Sequence, residues 1–392
     1  MNTVLFVDDE ELVLRSIERE LRHSHEKWNL LFASSADEAL SIMAQQPVDI
    51  LVTDFKMPQM SGLELLTIVE NLYPRTLRIL LTGYTSKIKY VQTTNLCHYF
   101  FYKPFKIEGF KRFLDRASDV VSLLNNPGLV KHLNAISFLP LHPNSFDRLS
   151  SCFAHYDTQP QQLLHIAQKD ISLALQLFKL SSSANFTLES GINSLADAID
   201  YIDMENFRAL FEGQQVFVPN KPEICKEFEL DLMQNHSFQV AHIAEALARM
   251  THLQDRIPEV KLAALLHDAG RIVLAHAFPE VYRHVFGRWQ QEKEKGFATA
   301  ESQILGSNHA QAGAYLAALW GVPFCVVRAI CQHVQPAPPC LTAEPISHLV
   351  WHANRLAQGK IDKSRDYYSG LCQDSHWQLF FNRLTSPKPD AP

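Results

Sequence analysis

The sequence predicts two architectures in one chain: a doubly wound α/β domain with a five-stranded parallel sheet, then an all-α helical bundle. Three observations predict it. In the first third, strand-like apolar runs at 4–7, 30–33, 48–53, 77–81 and 97–102 alternate with helical periodicity near 10–22, 36–45, 62–71, 85–95 and 106–124. That order lays helices on both faces of a parallel sheet. From about residue 140 the strand patterns stop, and apolar stripes at helical spacing take over. At 392 residues the chain is too long for one ordinary core and suits two or three domains.

The strand ends carry the first chemistry. Val4-Leu5-Phe6-Val7 is followed at once by Asp8-Asp9, and the run Val48-Asp49-Ile50-Leu51-Val52-Thr53 closes on Asp54. Ile79-Leu80-Leu81 delivers Thr82, and Tyr99-Phe100-Phe101-Tyr102 delivers Lys103. In an open α/β sheet such ends share one edge, the usual ligand crevice. Three carboxylates there repel one another unless a hard divalent cation neutralises them, and Mg²⁺ with oxygen ligands suits that role. A cation-bound carboxylate beside an ammonium and a hydroxyl is placed to accept a phosphoryl group. Taken singly, a strand-terminal Asp is an ordinary helix cap and a Lys-Pro pair an ordinary turn. Their joint occurrence points to phosphoryl chemistry.

The α/β part is expected over 2–124. Asn125-Asn126-Pro127-Gly128 would break a continuing helix, and Leu139-Pro140-Leu141-His142-Pro143 is a second break, leaving 125–138 as a connector helix. The all-α part follows over 139–355, with stripes in 161–180, 194–211, 237–250, 259–275, 309–320 and 324–333. A weakly patterned tail, 356–392, ends in a Pro-rich stretch expected to be disordered.

Histidine carries the chemistry of the second half. His236 reads as opening one helix, His267-Asp268 ends the run Leu262-Ala263-Ala264-Leu265-Leu266, His309 opens another helix, and His333 follows Val326–Ile330. Such placement suits a divalent transition metal held by several helices of a bundle. A buried hydrogen-bond cluster that helps specify the fold is the other reading.

Composition removes several classes. A net charge of −6 offers no field for nucleic acid or anionic membrane, and Lys and Arg are dispersed without a basic recognition helix. No stretch of 18 apolar residues exists, and the N-terminus runs straight into a strand, so neither a membrane span nor a signal peptide is expected. Seven cysteines, with no Cys-x-x-Cys pair, suggest reduced thiols in a cytoplasm.

Asp54 is followed by Met57-Pro58 and Ser61-Gly62, Thr82 by Gly83, and Lys103 by Pro104-Phe105. From about residue 2 to 120 the chain thereby resembles the receiver domain of two-component response regulators. The resemblance implies that Asp54 is the phosphoacceptor, served by a sensor histidine kinase. It also implies that Asp8, Asp9 and Asp54 bind Mg²⁺, that Lys103 contacts the phosphoryl group, and that Thr82 is the switch hydroxyl. Phe100 takes the place of the rotating aromatic, where many members have Tyr. A homodimer through the receiver is a further implication.

Residues 236–271 read His-Ser-x-x-Val-Ala, then Ala-Ala-Leu-Leu-His-Asp-Ala-Gly-Arg, similar to the HD superfamily of metal phosphohydrolases. The wider span from 139 to 355 resembles its HDOD branch. Leu139-Pro140, Ser183-Ala184-Asn185, Ser194–Ile199, His309-Ala310-x-x-Gly313-Ala314, Trp320-Gly321-Val322-Pro323 and Ala329–His333 carry that resemblance. The chain departs at Asp170-Ile171, where Asp-Pro is usual, and at Ser183. His236, His267 and Asp268 match the HD metal pattern, with His309 and His333 nearby, but Asn354 stands where the distal Asp is expected. Asn is a neutral oxygen ligand that cancels no metal charge. Val334 follows His333 where a two-metal relative has a second His, and no Gly-Tyr-Pro signature follows the doublet. The resemblance therefore implies a non-catalytic regulatory output that engages a protein partner. The alternative is a phosphorylation-controlled metal phosphohydrolase acting on a nucleotide or cyclic dinucleotide.

Overall fold

Strand β1 (Asn2–Val7) lies between β2 (Trp28–Ala33) and β3 (Ile50–Asp54), and β4 (Leu77–Gly83) and β5 (Tyr99–Lys103) extend the sheet outward. All neighbours are parallel, in the order β2-β1-β3-β4-β5. The structure is a computed structural model describing residues 2–21, 28–83, 96–103, 107–124, 126–154, 158–181, 192–213, 216–251, 253–292, 296–334 and 345–359. Helices α1 (Glu11–Leu21), α2 (Ala36–Gln45), α3 (Gly62–Leu72) and α4 (Ile107–Leu123) cover the sheet. Its central strands are buried on both faces, as in Val4–Val7 and Ile50–Val52, which explains why they read as unbroken apolar runs.

The chain leaves β1 toward β2 and returns to β3 on the other side, so the strand order reverses between β1 and β3. Val7 pairs with Thr53; the next residues, Asp8 and Asp54, therefore emerge side by side at the switch point. Ser61 caps α3 in a capping box with Glu64. Gly62 is required there, because a Cβ on it would lie 2.0 Å from the Asp54 carbonyl oxygen. The helix expected over 85–95, Pro104-Phe105 and Ser183-Ala184-Asn185 lie outside the described residues, as does the side chain of Phe100, whose backbone pairs with Leu80 in β5.

Helix α5 (Pro127–Asn134), capped by Asn126, joins the sheet domain to the bundle. The bundle holds α6 (Pro143–Phe153), α7 (Pro160–Ala167), α8 (Ile171–Ser181), α9 (Leu195–Ile202), α10 (Met204–Glu212), α11 (Pro222–Glu227) and α12 (Leu230–Arg249). It continues with α13 (Ile257–Leu266), α14 (Ala269–Ala277), α15 (Pro279–Gln291), α16 (Phe297–Leu305), α17 (His309–Leu319), α18 (Phe324–Gln332) and α19 (Pro345–Ala357).

Several boundaries differ from the sequence expectation for identifiable reasons. The stripe 161–180 is broken at Asp170, whose buried carboxylate accepts from Leu173 N and caps α8. The stripe 194–211 is broken at Asp203, where the backbone takes φ +58° and the side chain caps α10. The stripe 259–275 is broken at His267-Asp268. His236 does not open its helix; α12 starts at Leu230, because Leu230 and Met233 extend the buried stripe upstream. The last helix runs to Ala357, past the expected end at 355, and residues 360–392 of the tail lie outside the described part.

The two halves share one apolar cluster. Helix α4 packs on α17. The Tyr99 hydroxyl donates to Ala318 O at 2.5 Å, Tyr315 to Asn134 Oδ1 at 2.7 Å, and Asn134 Nδ2 to Pro74 O at 2.8 Å. Among the described residues, no helix is long and apolar enough to cross a membrane.

Candidate functional sites

At the sheet edge, Lys103 extends from the end of β5 across the strand ends and pairs with both Asp8, at 2.6 Å, and Asp54. Burial opposes the charge on Lys103, but the hydrogen bonds it donates to the Asp54 and Asp8 carboxylates hold its pKa above the ordinary value. Backbone amides fix the two acids: Glu10 N donates to Asp8 Oδ1 at 3.0 Å and Lys56 N to Asp54 Oδ2 at 2.7 Å. Thr82 is buried one strand away, on β4. Asp9 is exposed beside Asp8. The structure therefore brings Asp8, Asp54 and Lys103 into contact, leaves Thr82 adjacent, and turns Asp9 to solvent. Two carboxylates fixed at one point, with a third beside them, form an all-oxygen donor set that fits Mg²⁺.

In the bundle, the sequence places histidines on separate helices, and the fold gathers them around one carboxylate. Asp268 Oδ1 lies 3.3 Å from His309 Nε2 and 3.2 Å from His333 Nε2, and Asp268 Oδ2 lies 3.6 Å from His267 Nε2. The two triads His236-His267-Asp268 and Asp268-His309-His333 share that acid, with donor atoms within 4.8 Å of one another. Asn354 closes the far side, its Oδ1 accepting from His236 Nε2 at 2.9 Å and from Gln358 Nε2 at 2.8 Å. Each of the six predicted residues thus lies in one place.

The tautomers follow from the outer partners. His267 Nδ1 donates to Ala264 O and His333 Nδ1 to Ile330 O, both at 2.7 Å. A carbonyl only accepts, so in each neutral ring Nε2 carries the lone pair. His309 Nδ1 lies 2.5 Å from Glu301 Oε2, which also accepts from His309 N at 2.8 Å. Three imidazoles are thereby clamped at Nδ1 and aim Nε2 inward, the arrangement that orients metal-binding histidines. Burial pushes His267 down to about 3, so it stays neutral, and its buried Nε2 has no hydrogen-bond partner. Burial alone would raise Asp268, but the charged His309 ring, its Nε2 3.3 Å away, holds it well below the usual carboxylate range. His309 is held up at about 9, burial being outweighed by Glu301 and Asp268. A buried nitrogen lone pair without a donor, facing a carboxylate and two more imidazoles, fits a borderline divalent cation such as Zn²⁺, Mn²⁺ or Fe²⁺.

Two residues of this site, Glu301 and Arg271, were not singled out from the sequence. Glu301 is fully buried and accepts from Tyr282 OH at 2.8 Å. Arg271 stacks over the Phe297 ring at 4.5 Å and lies 3.7 Å from Asp268. A signal for Glu301 existed: it shares the apolar face of α16 with Phe297, Ala300 and Ile304, where a charge calls for a buried partner.

Comparison with known proteins finds both domains. The HDOD domain model matches residues 139–336, and the response regulator receiver domain model matches residues 4–114. The hydrogenase transcriptional regulatory protein HoxA of Cupriavidus necator is 40% identical over 83 residues, 21% of this chain and 17% of HoxA. An uncharacterized protein of Treponema pallidum is 22% identical over 198 residues, 50% of this chain and 38% of its own length. The chain thus matches well under half the length of either relative. The crystal structure of the MmoQ response regulator from Methylococcus capsulatus aligns with a TM-score of 0.53 at 17% identity, covering 64% of this chain and 98% of that one; this likeness concerns the fold alone. With half its length matched by one domain model, the chain belongs to the HDOD family, carrying a response-regulator receiver domain ahead of its HDOD domain.

Proposed function

We propose that this protein is a response regulator in which a sensor histidine kinase phosphorylates Asp54 with Mg²⁺, and the receiver thereby changes how the HDOD domain engages a protein partner. The observation that carries the reading is the Lys103 ammonium set between Asp8 and Asp54. Lys56 N–H holds one Asp54 oxygen, which orients the carboxylate toward an incoming phosphoryl donor. The other forms the new O–P bond as the donor's bond to phosphorus breaks. Mg²⁺, when bound by Asp8, Asp9 and Asp54, supplies neutralisation of the phosphoryl oxygens. Lys103 then follows the new negative charge, and Thr82 offers its hydroxyl to the same oxygens. The reading makes the protein cytoplasmic. A homodimer through the receiver would need a face other than the one α4 presents to α17. Acetyl phosphate should label the wild type and leave Asp54→Asn unlabelled; equal labelling of both would move the acceptor elsewhere.

A second reading is favoured by the unpartnered Nε2 of His267: a phosphorylation-controlled metal phosphohydrolase. His236, His267, Asp268, His309 and His333 would hold the metal, which when bound would supply Lewis acidity toward a phosphoester. Arg271, kept charged beside Asp268, would hold a substrate phosphate oxygen. Turnover of a phosphodiester panel, lost in His267→Ala, distinguishes this reading from the first.

A further inference from the structure

Helix α17 belongs to both sites. Its first residue, His309, lies against Asp268 and His333 and is clamped by Glu301. Its middle touches α14 backbone to backbone: a Cβ on Gly313 would lie 2.6 Å from Gly270 N, and one on Gly270 would lie 1.8 Å from His309 O. Its last turns carry Tyr315 and Ala318, bonded to Asn134 and Tyr99. Tyr99 begins β5, the strand whose last residue is Lys103. The Tyr99 ring also stands edge-on to Phe113 of α4, at 4.9 Å. An 11-residue helix is a stiff rod of about 16 Å. This rod has one end in the histidine cluster and the other bonded to the strand that positions Lys103. Close-packed contacts of this kind shift as units rather than bend.

We infer that α17 is the rigid link through which the phosphoryl state of Asp54 and the ligation state of the histidine cluster bias one another. The inference rests on the reading of both sites given above. When Lys103 turns from Asp8 to phosphoryl oxygens, the end of β5 shifts, and Tyr99 carries the shift to Ala318. The Gly270–Gly313 contact leaves α17 little room to absorb it, so His309 moves relative to Asp268. By linkage the effect runs equally in reverse.

Hydrogen exchange on the full chain tests this, comparing wild type with the pair Tyr99→Phe and Tyr315→Phe, which removes two hydroxyls and keeps the rings. Without any ligand, the variant should exchange about fivefold faster or more at amides of 309–319, the lower bound for energetic coupling. Unchanged exchange there overturns the link, whatever either site binds. With beryllofluoride and Mg²⁺, protection should change at 309–319 as well as at 54–56. With Mn²⁺ added over saturating Mg²⁺, which keeps the receiver edge filled, it should change at 99–103 as well as at 267–271. In the variant each change should stay within its own domain. A ligand that protects its own site and leaves the far site untouched, or a far effect undiminished in the variant, overturns the inference. Absence of protection at a ligand's own site would count against the reading of that site, while the ligand-free comparison still decides the link.

Discussion

The receiver edge and the histidine cluster solve the same problem, buried carboxylate charge, in opposite ways. At the edge the protein supplies its own cation: Lys103 pairs with Asp8 and Asp54 and keeps a quarter of its side chain exposed. In the cluster, Asp268 faces three imidazoles clamped at Nδ1, one of them held neutral, with a buried nitrogen left unpartnered. The first arrangement is partly neutralised and open to solvent, so with a hard divalent cation it suits an exchangeable anion. The second is a ring of donors held together by the proton on His309, which a divalent cation would replace, so it suits a resident metal. On the proposed reading, one chain joins a site built to be written on to a site built to be filled.

The strongest way to break that comparison is to remove one donor. His267→Ala should reduce bound Mn or Fe, measured by inductively coupled plasma analysis of the full chain, from near stoichiometric to near zero. Asp54 should still be labelled by acetyl phosphate, because its direct partners remain in place. Wild-type protein free of metal after growth and dialysis in Mn²⁺ would make the cluster a structural hydrogen-bond network instead, and the contrast between the sites would fall.

A smaller effect is expected one layer out. Glu301 clamps His309 at Nδ1 and at its backbone amide. Glu301→Gln keeps the shape and removes the charge, and outer-layer partners of ligating histidines are typically worth 10–100-fold in metal affinity. Competition titration with a chelating indicator should show a loss in that range. An unchanged affinity would show that Glu301 serves packing with Tyr282 alone.

The receiver was legible because its chemistry sits where a strand stops. Apolar runs fix the strand ends, and parallel register alone then sets Asp8 beside Asp54, with Lys103 two strands further on. The cluster was legible only as a set of residues. His236, His267, His309, His333 and Asn354 lie on or beside separate helices, and helical periodicity does not say which helices meet. Breaks such as Asp203 were hidden because apolar residues at three- and four-residue spacing continue on both sides of the turn. Glu301 was passed over because a lone glutamate in a helix reads as solvated surface until its partner on another helix is known.

The finest test uses a third buried charge that belongs to neither site. Lys179 lies in the seam between the halves; its ammonium donates to Ser137 O at 2.5 Å and lies 5.0 Å from the Trp320 ring. Where carboxylates hold Lys103 up, burial pushes Lys179 down to about 8, and Arg78 lowers it further. The folded value lies below the unfolded one of about 10.4, so between about pH 8 and 10.4 the unfolded chain binds more protons and stability rises with pH. Below pH 8 the full cost of the buried charge remains. Cys97 is pushed up to about 12 and stays protonated through this window. In urea denaturation, wild-type stability should gain about 1–3 kcal/mol over that interval relative to Lys179→Met. The difference in slope is the diagnostic, because the methionine also leaves Ser137 O without its donor and so shifts the value at neutral pH. Parallel slopes would mean that the seam opens to water around Lys179, and that burial in this molecule leaves a cation charged even where no carboxylate faces it.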